Sequence, residues 1–208
     1  MTLTEAVQRI KESMEGGAPG QDWQYKMVPP GRDRSDLESI RKENPKRAGV
    51  LALFSPVEEE AHLTFILRNS YPGVHSAQIG FPGGKVEPSD DDLWDTALRE
   101  TEEELGIGRD LITGLGALTE VYIPPSNFLV QPFVGFMESK PNYVPDEREV
   151  NEVFSLSLSD LLSEQNFVQT QVSVGGYKVQ VPAFELGGRT IWGATAMMVS
   201  EIKAIFKM

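Results

Sequence analysis

The chain has 208 residues, 40% apolar, 9% aromatic and 24% charged, enough for one packed domain with an elaborated arm and too apolar for wholesale disorder. Its formal net charge of −12 excludes nonspecific attachment to nucleic acid or anionic membrane, both of which need a basic surface. No cysteines and only two histidines, His62 and His75, exclude a disulfide framework, a thiolate zinc site and a cysteine nucleophile, and argue against a His-rich metal site.

At the start, Met1-Thr2-Leu3-Thr4-Glu5 lacks a basic residue followed by an apolar run, and no apolar stretch approaches the roughly 20 residues that cross a bilayer. The expectation is a cytoplasmic protein. Leu3, Ala6, Val7 and Ile10 have the spacing of an amphipathic helix over Leu3–Met14, closed by Gly16–Gly20. Residues 20–46 are polar and proline-containing and read as an arm, which divides the chain into an N-terminal helix and arm at 1–46 and a packed domain at 47–208. Ala48–Ser55 and Leu63–Arg68 read as neighbouring strands across an acidic turn.

Residues 70–84 are rich in Gly, Pro and Ser, with a short strand at Gln78–Phe81. Asp91–Leu105 is the clearest helix. Strands follow at Leu118–Ile123, Leu129–Phe136 and Glu152–Phe154, then a short helix at Ser159–Leu162. Val168–Val174 and Tyr177–Phe184 form a hairpin, and a last helix runs from about Ala194 to Phe206. This order implies an α+β fold, an α/β/α sandwich with a mixed sheet.

The central helix breaks a local rule. At about 100° per residue, Trp94, Ala97, Leu98, Thr101 and Leu105 share one core-facing arc, while Glu100, Glu103 and Glu104 share another face. Those glutamates sit in the last turns, where the helix dipole is negative and each carboxylate costs ~0.3–1 kcal/mol. Arg99 offsets part of this by reaching Glu103 four residues on. A divalent cation would reverse the sign of every one of these contributions. With oxygen ligands alone on offer, that cation would be Mg²⁺ or Mn²⁺. A solvated acidic face is the alternative reading of the same charges.

Gly83-Gly84 followed by Arg99-Glu100-Thr101-Glu102-Glu103-Glu104-Leu105-Gly106-Ile107 resembles the Nudix box. Thr101 stands where the box has an apolar residue. Fourteen residues separate Gly84 from Arg99, one more than the pattern allows. Counting back from Arg99 puts Asp91 in the first acidic slot, with Glu87 and Asp90 as rival occupants. The resemblance implies a Nudix-type α/β/α sandwich and a metal-dependent pyrophosphohydrolase. Glu100 and Glu104 would be the main metal ligands, with the Gly83 carbonyl nearby. Glu103 would be a further ligand or the general base, and Arg99 would orient the glutamates. Glu149, after the proline-rich stretch Pro141–Pro145, competes with Glu103 for the role of base.

Leu67-Arg68, then Ala77, then Phe81-Pro82-Gly83-Gly84 keep the spacing of the extra motif of coenzyme A pyrophosphatases. Asn69, Gly73 and Ala77 depart from it. Gly73 stands where the motif has a second arginine, so His75 and Lys85, with Arg68, are the candidate phosphate-binding residues. Weaker similarity to the same subfamily extends through Pro125–Val134, Glu149–Phe154 and Ile191–Ala196. The implied partner is a small nucleotide-type substrate, coenzyme A or an acyl-coenzyme A. ADP-ribose, a dinucleotide, or a catalytically silent nucleotide-binding module are the alternatives. Trp192 reads as a core anchor in preference to an adenine platform, and Ser126-Asn127 as a turn. Oligomerisation is left open.

Overall fold

The computed structural model describes residues 1–29, 33–69, 78–174 and 176–207. The first helix, α1 (Leu3–Glu15), starts at a capping box in which Thr2 and Glu5 exchange hydrogen bonds, and it buries Ala6, Val7 and Ile10. Short helices α2 (Gln21–Gln24) and α3 (Leu37–Lys42) follow. Then come β1 (Lys46–Val57), β2 (Glu60–Arg68), β3 (Ile79–Gly80), β4 (Gly83–Lys85) and helix α4 (Leu93–Leu105). Strands β5 (Thr113–Ala117), β6 (Val121–Ile123), β7 (Phe128–Phe136) and β8 (Val150–Ser157) lead to α5 (Leu158–Leu162). The chain closes with β9 (Phe167–Val174), β10 (Tyr177–Leu186), β11 (Arg189–Trp192) and α6 (Gly193–Ile205).

The main sheet runs β3-β2-β1-β7-β5, with β4 also paired to β1, β6 to β7 and β8 to β2. Among the described residues only the long β1–β7 pairing, Lys46↔Phe128 through Phe54↔Phe136, is parallel, so the sheet is mixed. Strand alternation sorts β1 between two layers. Ala48, Ala52 and Phe54 join the core shared with α1 and α6, while Leu51 and Leu53 join Ala97 and Leu105 of α4 on the opposite face. Each large side chain buried in this way contributes about 1.5–3 kcal/mol. The result is the expected α/β/α sandwich, extended by an antiparallel sheet, β9-β10-β11. Among the described residues no helix is long and apolar enough to cross a membrane.

The described residues of the stretch 20–46, read above as a polar arm, are folded onto the body, with Gln24 and Met27 buried. The attachment is largely polar, which is why hydropathy missed it. Glu201 on α6 is fully buried; its carboxylate accepts from Gly20 N (2.9 Å), Gln24 Nε2 (2.7 Å) and Thr119 Oγ1 (2.7 Å). Glu120, also buried, pairs with Arg41 and Arg47, each at 2.6 Å. The expected strand Leu118–Ile123 is regular only at Val121–Ile123, and Leu118 ahead of it is buried.

Candidate active site

Helix α4 is fixed at both ends as its sequence demands. Asp92 caps it by accepting from Asp95 N (2.8 Å), and Gly106 ends it in the left-handed region at φ 68°. Ala97, Thr101 and Leu105 are buried against the sheet, and Trp94 meets Phe133 edge-on at 5.4 Å. The polar residue in the apolar slot is accommodated, since Thr101 Oγ1 donates to Ala97 O at 2.7 Å.

The flank of the helix next to this core-facing arc meets β4. Gly83 N donates to Glu104 Oε2 at 2.8 Å, and Gly83 O accepts from Arg68 Nη2 at 2.7 Å. A Cβ built on Gly84 would come within 2.5 Å of Glu100 Oε2, so a side chain there would displace the carboxylate. Gly83 has φ 141° and lies against Gly49 and Val50, where an L side chain would be both strained and obstructed. The paired glycines let the strand backbone approach the helix.

Glu100, Glu104 and Glu149 converge, each offering a carboxylate oxygen within 4.8 Å of the others. Glu149 reaches them from the segment before β8, where its carbonyl accepts from Asn69 N at 3.0 Å. Glu104 is 1% exposed. Burial pushes its carboxyl up to about 7, against the opposing pull of Arg68 and the Gly83 N–H. Glu100 is pushed up by burial too, with Arg99 resisting. Arg68 Nη1 stands 3.1 Å from Glu104 Oε1 as an ion pair, but off the line of a hydrogen bond. That buried oxygen is left without a donor. Three converging carboxylates, a raised pKa and an orphaned buried oxygen are the donor set a hard divalent cation fits.

Arg99 is 9% exposed at its side chain and clamps Asp90 with two bonds, Nε to Oδ1 at 2.7 Å and Nη2 to Oδ2 at 3.1 Å. Its Nη2 also donates to Lys85 O (3.1 Å), and Nη1 reaches Glu100 (3.0 Å) and Glu103 (3.1 Å). Of the three candidates for the first acidic slot, Asp90, not Asp91 or Glu87, is the one that Arg99 holds. The pairing holds the Asp90 carboxyl well below the usual range and raises Arg99 further. Asp91 and Glu87 are exposed. Residue spacing alone pointed to Asp91, because the extra residue sits in the loop before the helix.

Glu103 is not brought into the cluster. Its side chain is 60% exposed and ion-paired with Arg99. At about 100° per residue, Glu104 lies only some 40° around the helix from Glu100, whereas Glu103 falls about 60° to the other side. Lys85 is exposed beside the glycines. His75 lies outside the described residues. Asn127 takes the left-handed turn conformation at φ 53°, as its sequence context implied.

A cavity of about 340 Å³ opens beside the same glycines, bounded by Arg68, Gly83, Gly84 and Lys85 at one end and by Val130, Trp192 and Met198 elsewhere. Trp192 is half-buried and lines it. Sequence reasoning did not gather this wall, since its residues come from β6, β7 and α6, far apart along the chain.

The NUDIX domain family model matches residues 45–173. Over 157 residues the chain is 38% identical to the mitochondrial coenzyme A diphosphatase NUDT8 of Homo sapiens, a match covering 74% of this chain and slightly under two thirds (66%) of that protein. The Mus musculus counterpart is 34% identical over 186 residues, covering 83% of this chain and 88% of that one. Among solved structures, the MutT protein of Methanosarcina mazei Go1 shares the fold at a TM-score of 0.52 and 16% identity, covering 78% of this chain and 94% of that one. The domain match spans more than half of the chain and contains the helix, the paired glycines and the converging carboxylates, and on that ground the chain belongs to the Nudix hydrolase family.

Proposed function

We propose that this protein hydrolyses the diphosphate bond of coenzyme A or an acyl-coenzyme A, with Mg²⁺ or Mn²⁺ as cofactor. The products are 4′-phosphopantetheine, free or acylated, and adenosine 3′,5′-bisphosphate. The observation that carries the reading is the convergence of Glu100, Glu104 and Glu149 beside Gly83 and Gly84. The choice of substrate is supported by the two relatives named as coenzyme A diphosphatases. The working domain is residues 47–208, with 1–46 as an N-terminal helix and arm.

In this scheme Glu100 and Glu104, with the Gly83 carbonyl, hold the cation, and Glu103 is at most an auxiliary ligand. A bound divalent ion supplies neutralisation of the diphosphate charge and a more acidic water. Arg99 keeps Glu100 in position and does not touch substrate. Arg68 and Lys85 attract the diphosphate oxygens at the glycine end, and His75 is proposed with them. Glu149, exposed and facing the buried Glu104 and the partly buried Glu100, takes the proton from the attacking water as the phosphorus–oxygen bond to the leaving phosphate breaks.

Mass spectrometry of products from coenzyme A, ADP-ribose and a dinucleotide, each with Mg²⁺ or Mn²⁺, tests this. Free 4′-phosphopantetheine is expected. AMP with a sugar phosphate from ADP-ribose, and no turnover of coenzyme A, would replace the substrate assignment. Tight ligand binding without any turnover would make the protein a silent module.

A further inference from the structure

We propose that the apolar cavity beside Gly83 and Gly84 holds the acyl-pantetheine half of the substrate, and that its wall sets the acyl length accepted. The inference rests on the substrate reading above. Alternation along β1 points Ala48 and Val50 into this cavity, on the sheet face opposite α4. The cavity and the carboxylate cluster therefore lie on opposite faces and meet where two consecutive glycines thin the wall between them. A ligand with its diphosphate at the glycines continues into the cavity with one of its two ends.

The chemistry of the wall chooses which end. Among the described residues the charged side chains that line the cavity, Arg68 and Lys85, both flank the glycines. Away from them the wall is mainly apolar, built by Ile123, Phe128, Val130, Trp192 and Met198, and of its polar members the hydroxyls of Tyr122 and Thr195 already donate to Asn127 Oδ1 and Ile79 O. The adenosine half carries a second phosphate and a base edge that needs hydrogen-bond partners. Driving that phosphate against an apolar wall, which among the described residues offers no cation away from the glycines, is costly. An acyl-pantetheine arm instead ends in a thioester and a hydrocarbon chain, and each buried methylene raises affinity about fourfold. Methionine pairs adapt to chains of different length. The volume, about 340 Å³, is at the small end of ligand sites, which suits one half of the molecule.

Two variants change the cavity in opposite senses. Ala194→Leu, in the first turn of α6 and half-exposed, fills it with a helix-compatible side chain, and Ile123→Ala enlarges it. Turnover of coenzyme A, butyryl-coenzyme A and octanoyl-coenzyme A is measured with Mn²⁺. Inhibition by S-octanoyl-4′-phosphopantetheine and by adenosine 3′,5′-bisphosphate is measured alongside. Ala194→Leu is expected to lower kcat/KM for octanoyl-coenzyme A about tenfold more than for coenzyme A. It should weaken the acylated inhibitor and leave the bisphosphate unchanged. Ile123→Ala should move the preference to longer chains. Weakened bisphosphate binding with the acylated inhibitor spared would put the nucleoside in the cavity and overturn the inference. So would coenzyme A turnover whose chain-length response neither variant moves. Hydrolysis of ADP-ribose but of no coenzyme A ester would instead overturn the substrate reading, and this inference with it.

Discussion

Replacing Gly84 by alanine perturbs one carboxylate by shape alone. Gly84 has no positive φ, so alanine suits its backbone. The added methyl carbon would lie 2.5 Å from Glu100 Oε2, whereas ordinary contact begins at 3.4 Å. The carboxylate must retreat by about 1 Å, pulling against its 3.0 Å ion pair with Arg99. A misplacement of about 1 Å in a reacting constellation costs on the order of 10²-fold, or about 2.7 kcal/mol of transition-state stabilisation. The assay is kcat/KM for coenzyme A at saturating Mn²⁺, with calorimetric titration of Mn²⁺ and a thermal melt in EDTA. The expected result is a rate about 100-fold lower, weaker Mn²⁺ binding and a melting temperature within a few degrees of the parent. Glu100→Asp added to Gly84→Ala shortens the acid by one methylene and should recover part of the loss, a non-additivity the separate variants do not show. Parental activity and Mn²⁺ affinity in Gly84→Ala would refute the claim that Glu100 must stand where it does.

Burial raises the folded-state carboxyl of Glu104 to about 7, so the metal-free fold binds that proton more tightly than the unfolded chain does. Its contribution is fully present below the unfolded carboxyl range and is lost as pH rises through about 7, a slope worth on the order of 3 kcal/mol. Urea melts in EDTA from pH 5 to 8 should show this decline, and Glu104→Gln should flatten it while abolishing turnover; a parallel decline in the variant would count against the assignment. Asp90 behaves with the opposite sign, since Arg99 depresses its carboxyl and its stabilisation is lost as pH falls below the usual aspartate range. Asp90→Ala leaves Arg99 nearly buried without its clamp and should cost about 3 kcal/mol in chemical denaturation; a change under 1 kcal/mol would show the pair to be dispensable. Glu149→Gln should lower kcat far more than Glu103→Gln, because only Glu149 converges with Glu100 and Glu104; the reverse order would return the role of base to Glu103.

The helix carrying the box was legible because three signals agreed: the aspartate cap, the apolar arc through Ala97, Thr101 and Leu105, and the Gly106 stop. Helical phase then fixed Glu100 and Glu104 to one face. The phase that grouped Glu103 with them was too coarse to show that it turns outward. The first acidic slot was not legible, because a loop has no periodicity to absorb an extra residue, and Asp90 is selected by the reach of Arg99. Strand β5 escaped notice because Gly114 and Gly116 erase its hydrophobic pattern; a Cβ at Gly114 would press on Trp94, so the glycine makes room for the helix above it. The four residues of β11 were too few to register beside the hairpin before them. The cavity wall was beyond reach for another reason, since no local pattern reports that Ile123, Phe128 and Met198 converge.

The fully buried carboxylate of Glu201 has a consequence for dissection of the molecule. By gathering Gly20, Gln24 and Thr119 onto α6, it joins the opening segment and the final helix into one cooperative unit. Trimming the chain to residues 45–173 would discard both the carboxylate and two of its three anchorage points, together with the helix that lines the cavity. Trimming only the first 24 residues would remove the Gly20 and Gln24 donors and leave the carboxylate to Thr119, a loss felt at the far end of the polypeptide from the cut.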